Sequence, residues 1–273
     1  MKTLYISDLD GTLLQPNVEL SKTTVRILND LIGQGVNFTV ATARSIASVR
    51  PILKDVSMCL PVILMNGVCI YDLAKGEYVK VETFSKESAR LLMTIISNNK
   101  LKGIAYTMKD GVMTTYYEEL SNRALKDFCE ERRKLYHKPF TQIEDFGMLA
   151  EEPLIYFTVM DVKENLDLIY PVVEQASDLN SVMYKDNYTP DIWYLEIFSK
   201  NASKYHAVQF LRSYLEADTV VCFGDNRNDL PLFEASDHRI AVANAVDELK
   251  EKADTVIGSN IQDGVAIWLK LNS

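Results

Sequence analysis

One stretch near the start of the chain decides the fold: Tyr5-Ile6-Ser7-Asp8-Leu9-Asp10-Gly11-Thr12-Leu13. The apolar run Leu4–Ile6 predicts a short buried strand. Side chains alternate between the two faces of a strand, so Asp8 and Asp10 are expected to point the same way. Two carboxylates this close repel each other unless a cation or a shared proton separates them. The pattern therefore indicates a site that holds a hard cation and presents one carboxylate as a nucleophile.

The same short pattern has a simpler interpretation when it is taken alone. Asp-x-Asp-Gly after a strand is also typical of an Asx-type turn with solvated acids, in which Gly11 only allows the backbone to turn. Short motifs match by chance often enough that both interpretations stay open at this point. The rest of the chain decides between them.

The composition excludes several functional classes. Of the 273 residues, 47% are hydrophobic and 25% are charged, which is ordinary for one large globular domain or two smaller ones. The net charge of -9 disfavours a nucleic-acid partner, because a phosphate backbone needs a concentrated basic surface. The sequence shows neither a long apolar run nor a signal-peptide pattern, and its four cysteines form no C-x-x-C pair. We therefore expect a cytoplasmic protein with reduced cysteines in its core and without nucleic-acid or membrane partners.

Strands and helices alternate at both ends of the chain. This alternation predicts a parallel sheet with helical crossovers. Good helix caps stand between the strands, and Ser21 is the first of them. The predicted strands of this sheet include Leu4–Ile6, Val36–Ala41, Pro61–Met65 and Thr219–Phe223.

The pattern changes in the middle of the chain, where hairpins mix with helices. Lys109-Asp110-Gly111 between two β-rich runs is a strong hairpin signal. The mixture predicts an α+β insertion rather than more of the parallel sheet. The predicted fold class is therefore α/β, with a Rossmann-like parallel-sheet core over residues 1–83 and 193–273 and an inserted α+β cap over 84–192. A cap of this kind is expected to close over a small substrate and to set specificity.

Polar residues follow four of the predicted strands. Ligands bind beyond the carboxyl ends of the strands in an open α/β sheet, and the N–H groups at a helix start favour an anion. For the group of Asp225, Asn228 and Asp229, the alternative is that Asp225 caps a helix and the acids lie on the surface. The coincidence of this group with Asp8 and Asp10 disfavours that alternative. The four sets are Asp8 with Asp10, Thr42 with Arg44, Asn66 with Gly67, and Asp225 with Asn228 and Asp229.

These sets indicate a metal and a reaction class. Asp8, Asp10 and Asp225 offer hard oxygen ligands without histidine or thiolate, which matches Mg²⁺. A metal among carboxylates, flanked by threonine, lysine and asparagine donors, suits phosphoryl transfer.

In motif order, nearly the whole chain resembles the haloacid dehalogenase superfamily of phosphatases, specifically its Cof-type branch (subfamily IIB). Two departures leave every catalytic group in place: Ala43 stands where the branch more often has glycine, and Val242-Ala243-Asn244 stands where it often has Met-Gly-Asn. The matching segments are Asp8-Leu9-Asp10-Gly11-Thr12, Thr42 in Ala41-Thr42-Ala43-Arg44, Asn66-Gly67, Lys204 in Asn201-Ala202-Ser203-Lys204, and Gly224-Asp225-Asn226-Arg227-Asn228-Asp229.

The resemblance implies a role for each residue. Asp8 would attack phosphorus and form an aspartyl-phosphate, while Asp10 would protonate the leaving oxygen and later activate water. The implied metal ligands are Asp8, the backbone carbonyl of Asp10, Asp225 and Asp229, the last through water or by orienting Lys204. The acid at Asp10 argues against dehalogenation. The implied phosphate-binding residues are Thr42, Lys204 and Asn228, and the candidate substrate-binding residues are Ala43, Arg44, Asn66 and Gly67.

We therefore expect a phosphoric monoester hydrolase that uses Mg²⁺ and acts on small phosphorylated metabolites, chiefly sugar phosphates or similar monoesters. One alternative is a phosphomutase-like phosphotransferase, which returns the phosphoryl group to its substrate. The other is a non-catalytic binding protein on the same fold, because a fold does not fix a function. The complete set of motif residues argues against the second alternative.

Overall fold

A computed structural model describes residues 2–186 and 189–273 of the chain. The helices are α1 (Lys22–Gly33), α2 (Ile46–Ile52), α3 (Lys86–Asn98), α4 (Arg123–Tyr136), α5 (Lys163–Glu174), α6 (Lys204–Tyr214), α7 (Leu230–Glu234), α8 (Asp247–Lys250) and α9 (Gly264–Asn272). The strands are β1 (Thr3–Ser7), β2 (Asn37–Val40), β3 (Val62–Leu64), β4 (Cys69–Asp72), β5 (Glu77–Val81), β6 (Ile104–Lys109), β7 (Val112–Tyr117), β8 (Thr141–Gln142), β9 (Leu154–Val162), β10 (Leu179–Lys185), β11 (Ile192–Ser199), β12 (Thr219–Gly224), β13 (His238–Val242) and β14 (Thr255–Ile257).

The chain divides into two compact units. The first consists of Met1–Lys80 and Ser203–Ser273, and the second is Val81–Ala202, which is inserted between these two segments in the sequence. The first unit contains a five-stranded sheet in the order β14-β13-β12-β1-β2, and each neighbouring pair is parallel. This confirms the predicted α/β class with a parallel-sheet core. Since β1 is flanked by β12 and β2, the carboxyl ends of these three strands lie side by side.

Burial explains why β1 forms at the centre of this sheet. Leu4 and Ile6 are completely buried, and Tyr5 is nearly so, because helices cover both faces of a parallel sheet.

The first helix begins as predicted. Ser21 caps α1, since its side chain accepts a hydrogen bond from the Thr24 N–H over 2.9 Å.

The strand predicted at Pro61–Met65 forms as β3, and an isolated bridge between Ala41 and Ile63 joins it to the end of β2. Its main partner is β4, which is antiparallel, and β5 follows in the same three-stranded sheet. The turn at Asn66 and Gly67 reverses the chain straight after β3, so the next strand pairs locally instead of crossing over.

The second unit contains a six-stranded sheet in the order β10-β11-β9-β6-β7-β8. Its pairs are antiparallel except for β7 with β8, and the predicted hairpin turns at Asp110 and Gly111, which both have positive φ. The predicted boundary at residue 193 differs from this division. Because β11 pairs with both β9 and β10, Ile192–Ser199 belongs to the sheet of the inserted unit, which ends at Ala202.

Two expectations from the sequence composition can be compared with the structure. Over 2–186 and 189–273, no helix has the length and apolar character needed to cross a membrane. All four cysteines are free thiols; three of them are buried, whereas the expectation of a core position is wrong for Cys59, which is exposed.

Candidate active site

The first carboxylate lies directly beyond β1. The Asp8 N–H donates to the carbonyl oxygen of Phe223 over 2.9 Å, which extends the pairing of β1 with β12 by one step. The Asp8 side chain is 5% exposed. A tight turn follows, in which the N–H groups of three residues after Asp10 converge on the carbonyl of Leu9, and Gly11 has a φ of 79°. Asp10 therefore lies in a turn that follows Asp8, so strand alternation does not set its direction relative to Asp8.

The second carboxylate forms an ion pair. Arg44 donates from Nε to Oδ2 of Asp10 over 2.7 Å and from Nη2 to Oδ1 over 2.6 Å. This bidentate geometry is the strong form of a charge-assisted hydrogen bond. Arg44 follows β2, so the pair joins the turns at the ends of two neighbouring strands. The carboxylate of Asp10 is thus held by a guanidinium.

The third group of acids follows β12. Asp229 Oδ2 accepts hydrogen bonds from the N–H groups of Asp225 (3.0 Å) and Asn226 (3.2 Å), so its carboxylate organises the turn in which it lies. Gly224 makes room for that carboxylate, because a Cβ at this position would lie 2.8–2.9 Å from side-chain atoms of Asp229. The local fold therefore depends on a glycine before the turn and an acid at its end.

Lys204 connects Asp8 with the acids that follow β12. It is the first residue of α6, and Ser203 caps that helix by accepting from the His206 N–H. Its Nζ donates to Asp8 Oδ1 over 2.7 Å and to Asp229 Oδ1 over 2.6 Å, and its side chain is 1% exposed. A lysine buried this deeply needs such charged partners to stay ionised.

Asp8, Asp225 and Asp229 form a carboxylate cluster, with one oxygen from each within 4.8 Å of the others. Thr12 Oγ1 donates to Asp225 Oδ1 over 3.0 Å. Burial, and next the charge of Asp229, raise the pKa of Asp8 to about 8; the same two causes raise the pKa of Asp225 well above its usual value. Burial lowers the pKa of Lys204, but the charges of Asp229 and Asp8 outweigh it and raise that pKa.

The charge and the donor atoms of this cluster can be compared with what a magnesium ion requires. Three buried carboxylates face one lysine in the cluster, which leaves an excess of negative charge. The donor set is all oxygen, as a hard divalent cation prefers, and a cation there would favour the ionised carboxylates. The residues therefore fit Mg²⁺. The side chain of Asp10 is outside this cluster, so a contribution from Asp10 would have to come through its backbone.

The remaining predicted residues follow β2, β3 and β12. Thr42 is completely buried, and its Oγ1 accepts from the Arg44 N–H over 3.1 Å, while Ala43 between them is half-buried. Asn228 Nδ2 lies 3.5 Å from Asn66 Oδ1. Gly67 has a φ of 96°, and a Cβ there would lie 2.1 Å from the carbonyl oxygen of Ser203. The structure thus places Gly67 against the backbone that introduces Lys204.

The chain also matches a known protein family over nearly its whole length. The sequence profile of the haloacid dehalogenase-like hydrolases matches residues 5–269. The chain belongs to that family. The predictions of the family, of its Cof-type branch and of a phosphatase-type hydrolase are confirmed.

The similarity of this haloacid dehalogenase-like hydrolase to known proteins extends over nearly its whole length. It is 25% identical to 5-amino-6-(5-phospho-D-ribitylamino)uracil phosphatase YwtE of Bacillus subtilis, covering 98% of this chain and 97% of the relative. It is 27% identical to phosphatase YwpJ of the same organism, covering 99% of both chains. The structure of a haloacid dehalogenase-like hydrolase from B. subtilis superposes with a TM-score of 0.82, at 24% identity over 100% of both chains.

Two contacts of this hydrolase have no counterpart in the sequence predictions. Thr12 was quoted within a motif without a role, yet its hydroxyl binds Asp225. Asn244 Nδ2 donates to the Gly11 carbonyl oxygen over 2.7 Å. The signal for Asn244 is its position, because it follows β13 and so lies at the same edge of the sheet as the other strand ends.

Proposed function

We propose that this chain is a Mg²⁺-dependent phosphatase that hydrolyses small phosphorylated metabolites through an aspartyl-phosphate on Asp8. The observation that supports this most is the position of Lys204, whose buried ammonium binds both Asp8 and Asp229 beside the carboxylate cluster. A nucleophilic carboxylate needs its charge held in place and partly neutralised as it meets an anionic phosphoryl group. Lys204 meets both needs.

In the first half-reaction, a carboxylate oxygen of Asp8 attacks phosphorus and the ester P–O bond breaks. Asp10 gives a proton to the leaving oxygen, which departs as an alcohol. Lys204 holds one oxygen of Asp8 while the new bond forms. Thr42, Lys204 and Asn228 bind the transferring phosphoryl oxygens in this proposal.

In the second half-reaction, Asp10 takes a proton from a water molecule that attacks phosphorus. The acyl-phosphate P–O bond breaks, inorganic phosphate leaves, and Asp8 returns to its carboxylate form. The ionised form of Asp10 is the one that accepts this proton, and the bidentate pair with Arg44 stabilises that form. In the first half-reaction, one oxygen of Asp10 leaves this pair and carries the proton that it donates. We therefore assign Arg44 to the control of Asp10.

Asp8, Asp225 and the backbone carbonyl of Asp10 would hold the magnesium ion, which when bound would neutralise charge that develops on the phosphoryl group. Asp229 has a supporting part in this proposal. Its Oδ1 accepts from Lys204 and its Oδ2 accepts from two backbone N–H groups, so it anchors the lysine and the turn that presents Asp225.

For the substrate, we infer a monoester of a sugar or a polyol. The named substrate of one relative is the monophosphate of a ribityl compound, which supports this class. The inserted unit would supply specificity for the leaving group. A phosphomutase-like reaction is distinguished by its products, because it yields an isomerised phosphate ester and no free phosphate.

The test is phosphate release from a panel of phosphomonoesters, measured with Mg²⁺ and with EDTA. Asp8→Asn keeps the shape of the side chain but removes the nucleophilic charge, so we expect turnover to fall to background. Asp110→Asn is the matched control, because Asp110 lies exposed in a hairpin turn of the inserted unit where asparagine is equally suited. Metal-dependent release that survives Asp8→Asn would contradict the proposal.

A further inference from the structure

The segment after β13 contacts both catalytic turns of the first unit. Asn244 Nδ2 donates to the Gly11 carbonyl oxygen over 2.7 Å, and the N–H of Val246 donates to the Asp225 carbonyl oxygen over 2.8 Å. Gly11 belongs to the turn that presents Asp8 and Asp10. One short segment therefore binds the backbone of the turn after β1 and of the turn after β12.

The orientation of the Asn244 amide is fixed by its two partners. Its Oδ1 accepts from the N–H of Asn260 over 3.0 Å, and its Nδ2 faces the carbonyl of Gly11. Turning the amide over would bring N–H groups against Asn260 and an oxygen against Gly11, so both contacts would become repulsive. The donor is thus held toward Gly11.

A second asparagine contacts the same turn further along. Asn260 Nδ2 donates to the Leu14 carbonyl oxygen over 2.8 Å, and the backbone carbonyl oxygen of Asn260 accepts from Gln15 Nε2 over 3.0 Å. Since Asn260 also donates its N–H to Asn244, the two asparagines form one connected set of hydrogen bonds along Gly11–Gln15. Both asparagines lie in the C-terminal part of the chain, outside the matching segments named above.

The backbone hydrogen bonds inside this turn end at one point, and the Thr12 hydroxyl on Asp225 joins the turn to the one after β12. The N–H groups of Thr12, Leu13 and Leu14 converge on the carbonyl of Leu9. Those bonds close the turn internally but leave its position relative to β12 to other contacts. The donor of Asn244 acts at Gly11, one residue after Asp10.

We propose that Asn244 is a positioning residue that fixes the turn of Asp10 against the turn of Asp225 by binding the Gly11 carbonyl. The proposal rests on the proposed function for its catalytic consequence. Asn244 touches neither reacting atoms nor the carboxylate cluster, so it acts through the placement of Asp10. Small displacements of a catalytic group lower the rate of the chemical step more than they weaken binding.

The decisive variant is Asn244→Asp. A carboxylate still accepts from the N–H of Asn260 but can no longer donate to Gly11. Asn244→Ala removes both contacts without adding charge, and so separates loss of the hydrogen bond from charge repulsion. The matched control is Asn272→Asp, because the exposed Asn272 likewise donates to a backbone carbonyl, that of Trp268, at the C-terminal end of α9.

We expect kcat to fall roughly tenfold in both Asn244 variants while KM changes less than about twofold, since the loss concerns the chemical step. We also expect faster backbone hydrogen–deuterium exchange in residues 9–15 of these variants, with the rest of the first unit and Asn272→Asp unchanged. The exchange is read in the free protein and needs no turnover.

The two readouts separate the failure of this inference from the failure of the proposed function. An active wild type with unchanged kcat in both Asn244 variants would overturn the positioning role. Unchanged exchange in residues 9–15 would overturn the contact itself. If the wild type releases no phosphate from any monoester, the proposed function fails, while faster exchange in the variants still supports the contact.

Discussion

Lys204 Nζ donates to Asp8 Oδ1 over 2.7 Å, and both side chains are almost completely removed from solvent. Removing one partner of a buried ion pair leaves an uncompensated charge, which typically costs more than 3 kcal/mol. Lys204→Met should therefore lower the free energy of unfolding by roughly 3 kcal/mol in EDTA, as measured by urea denaturation. The control is Lys200→Met, because Lys200 makes an exposed pair with Asp178. Equal effects of the two substitutions would contradict this account of the site.

Arg44 offers a second test, which concerns geometry rather than charge alone. Lysine keeps the positive charge but loses the planar fork that binds both oxygens of Asp10. We expect Arg44→Lys to lower kcat about tenfold, since the acid–base group loses its fixed orientation. Arg239→Lys is closely matched, because Arg239 makes the same two-point contact with Asp254 at the surface. Similar kcat losses in both variants would rule out a role specific to Asp10.

Gly67 gives a prediction about packing. Its positive φ and the Ser203 carbonyl oxygen 2.1 Å from an ideal Cβ mean that any side chain must displace the start of α6. Gly67→Ala should therefore destabilise the first unit by more than about 2 kcal/mol and disturb Lys204. Gly111→Ala separates strain from the clash, because Gly111 also has positive φ but nothing within 4 Å of its Cβ. We expect a cost of about 1 kcal/mol there. Thermal unfolding measures both variants. Equal decreases in melting temperature for Gly67→Ala and Gly111→Ala would contradict the close contact.

Lys138 in the inserted unit gives a prediction about pH. Burial, and next the charge of Arg132, lower its pKa to about 7, although its ammonium lies 4.5 Å from the ring centroid of Tyr106, which favours the charged form. An unfolded lysine binds its proton up to about pH 10.5. Between these values the unfolded chain binds more protons than the folded chain, so this lysine makes stability rise with pH.

The measurement compares the free energy of unfolding at pH 7 and near pH 9.5. Lys138→Met should reduce the rise seen in the wild type, whereas Lys134→Met should not, because Lys134 is exposed on the same segment. An identical rise in wild type and Lys138→Met would show that the pKa of Lys138 is ordinary.

The sequence was most informative where local pattern and global fold agree. The alternation of apolar runs with capped helices predicted the parallel sheet, and the polar residues after β1, β2 and β12 do lie at neighbouring strand ends. Parallel strands place their carboxyl ends at one edge, so residues more than two hundred positions apart could be expected together. Asp8 beside Asp225 and Asp229 is the result of this rule. Lys204 was implied by the family resemblance instead, because it begins α6 and follows no strand of the parallel sheet.

Other features depend on contacts that no local pattern encodes. The predicted boundary at residue 193 placed this part of the chain in the core, yet the strand Ile192–Ser199 pairs with two strands of the inserted sheet. The pairing of Asp10 with Arg44 and of Asn244 with Gly11 requires the distances between turns, which only the packed sheet sets. The same holds for Gly67, whose closest neighbour is the backbone of Ser203.

The central claim is that Asp8 carries the phosphoryl group, and the most direct measurement is to trap that group. Asp10→Asn, incubated with Mg²⁺ and a monoester whose leaving group needs no acid, should accumulate the intermediate, because the base that activates water is missing. Rapid acid quenching and peptide mass spectrometry should then locate a hydroxylamine-sensitive phosphate on Asp8, absent from the double variant with Asp8→Asn. Phosphate release by the wild type, with a phosphoryl group on another residue or on none at the quench times that span one turnover, would contradict the account.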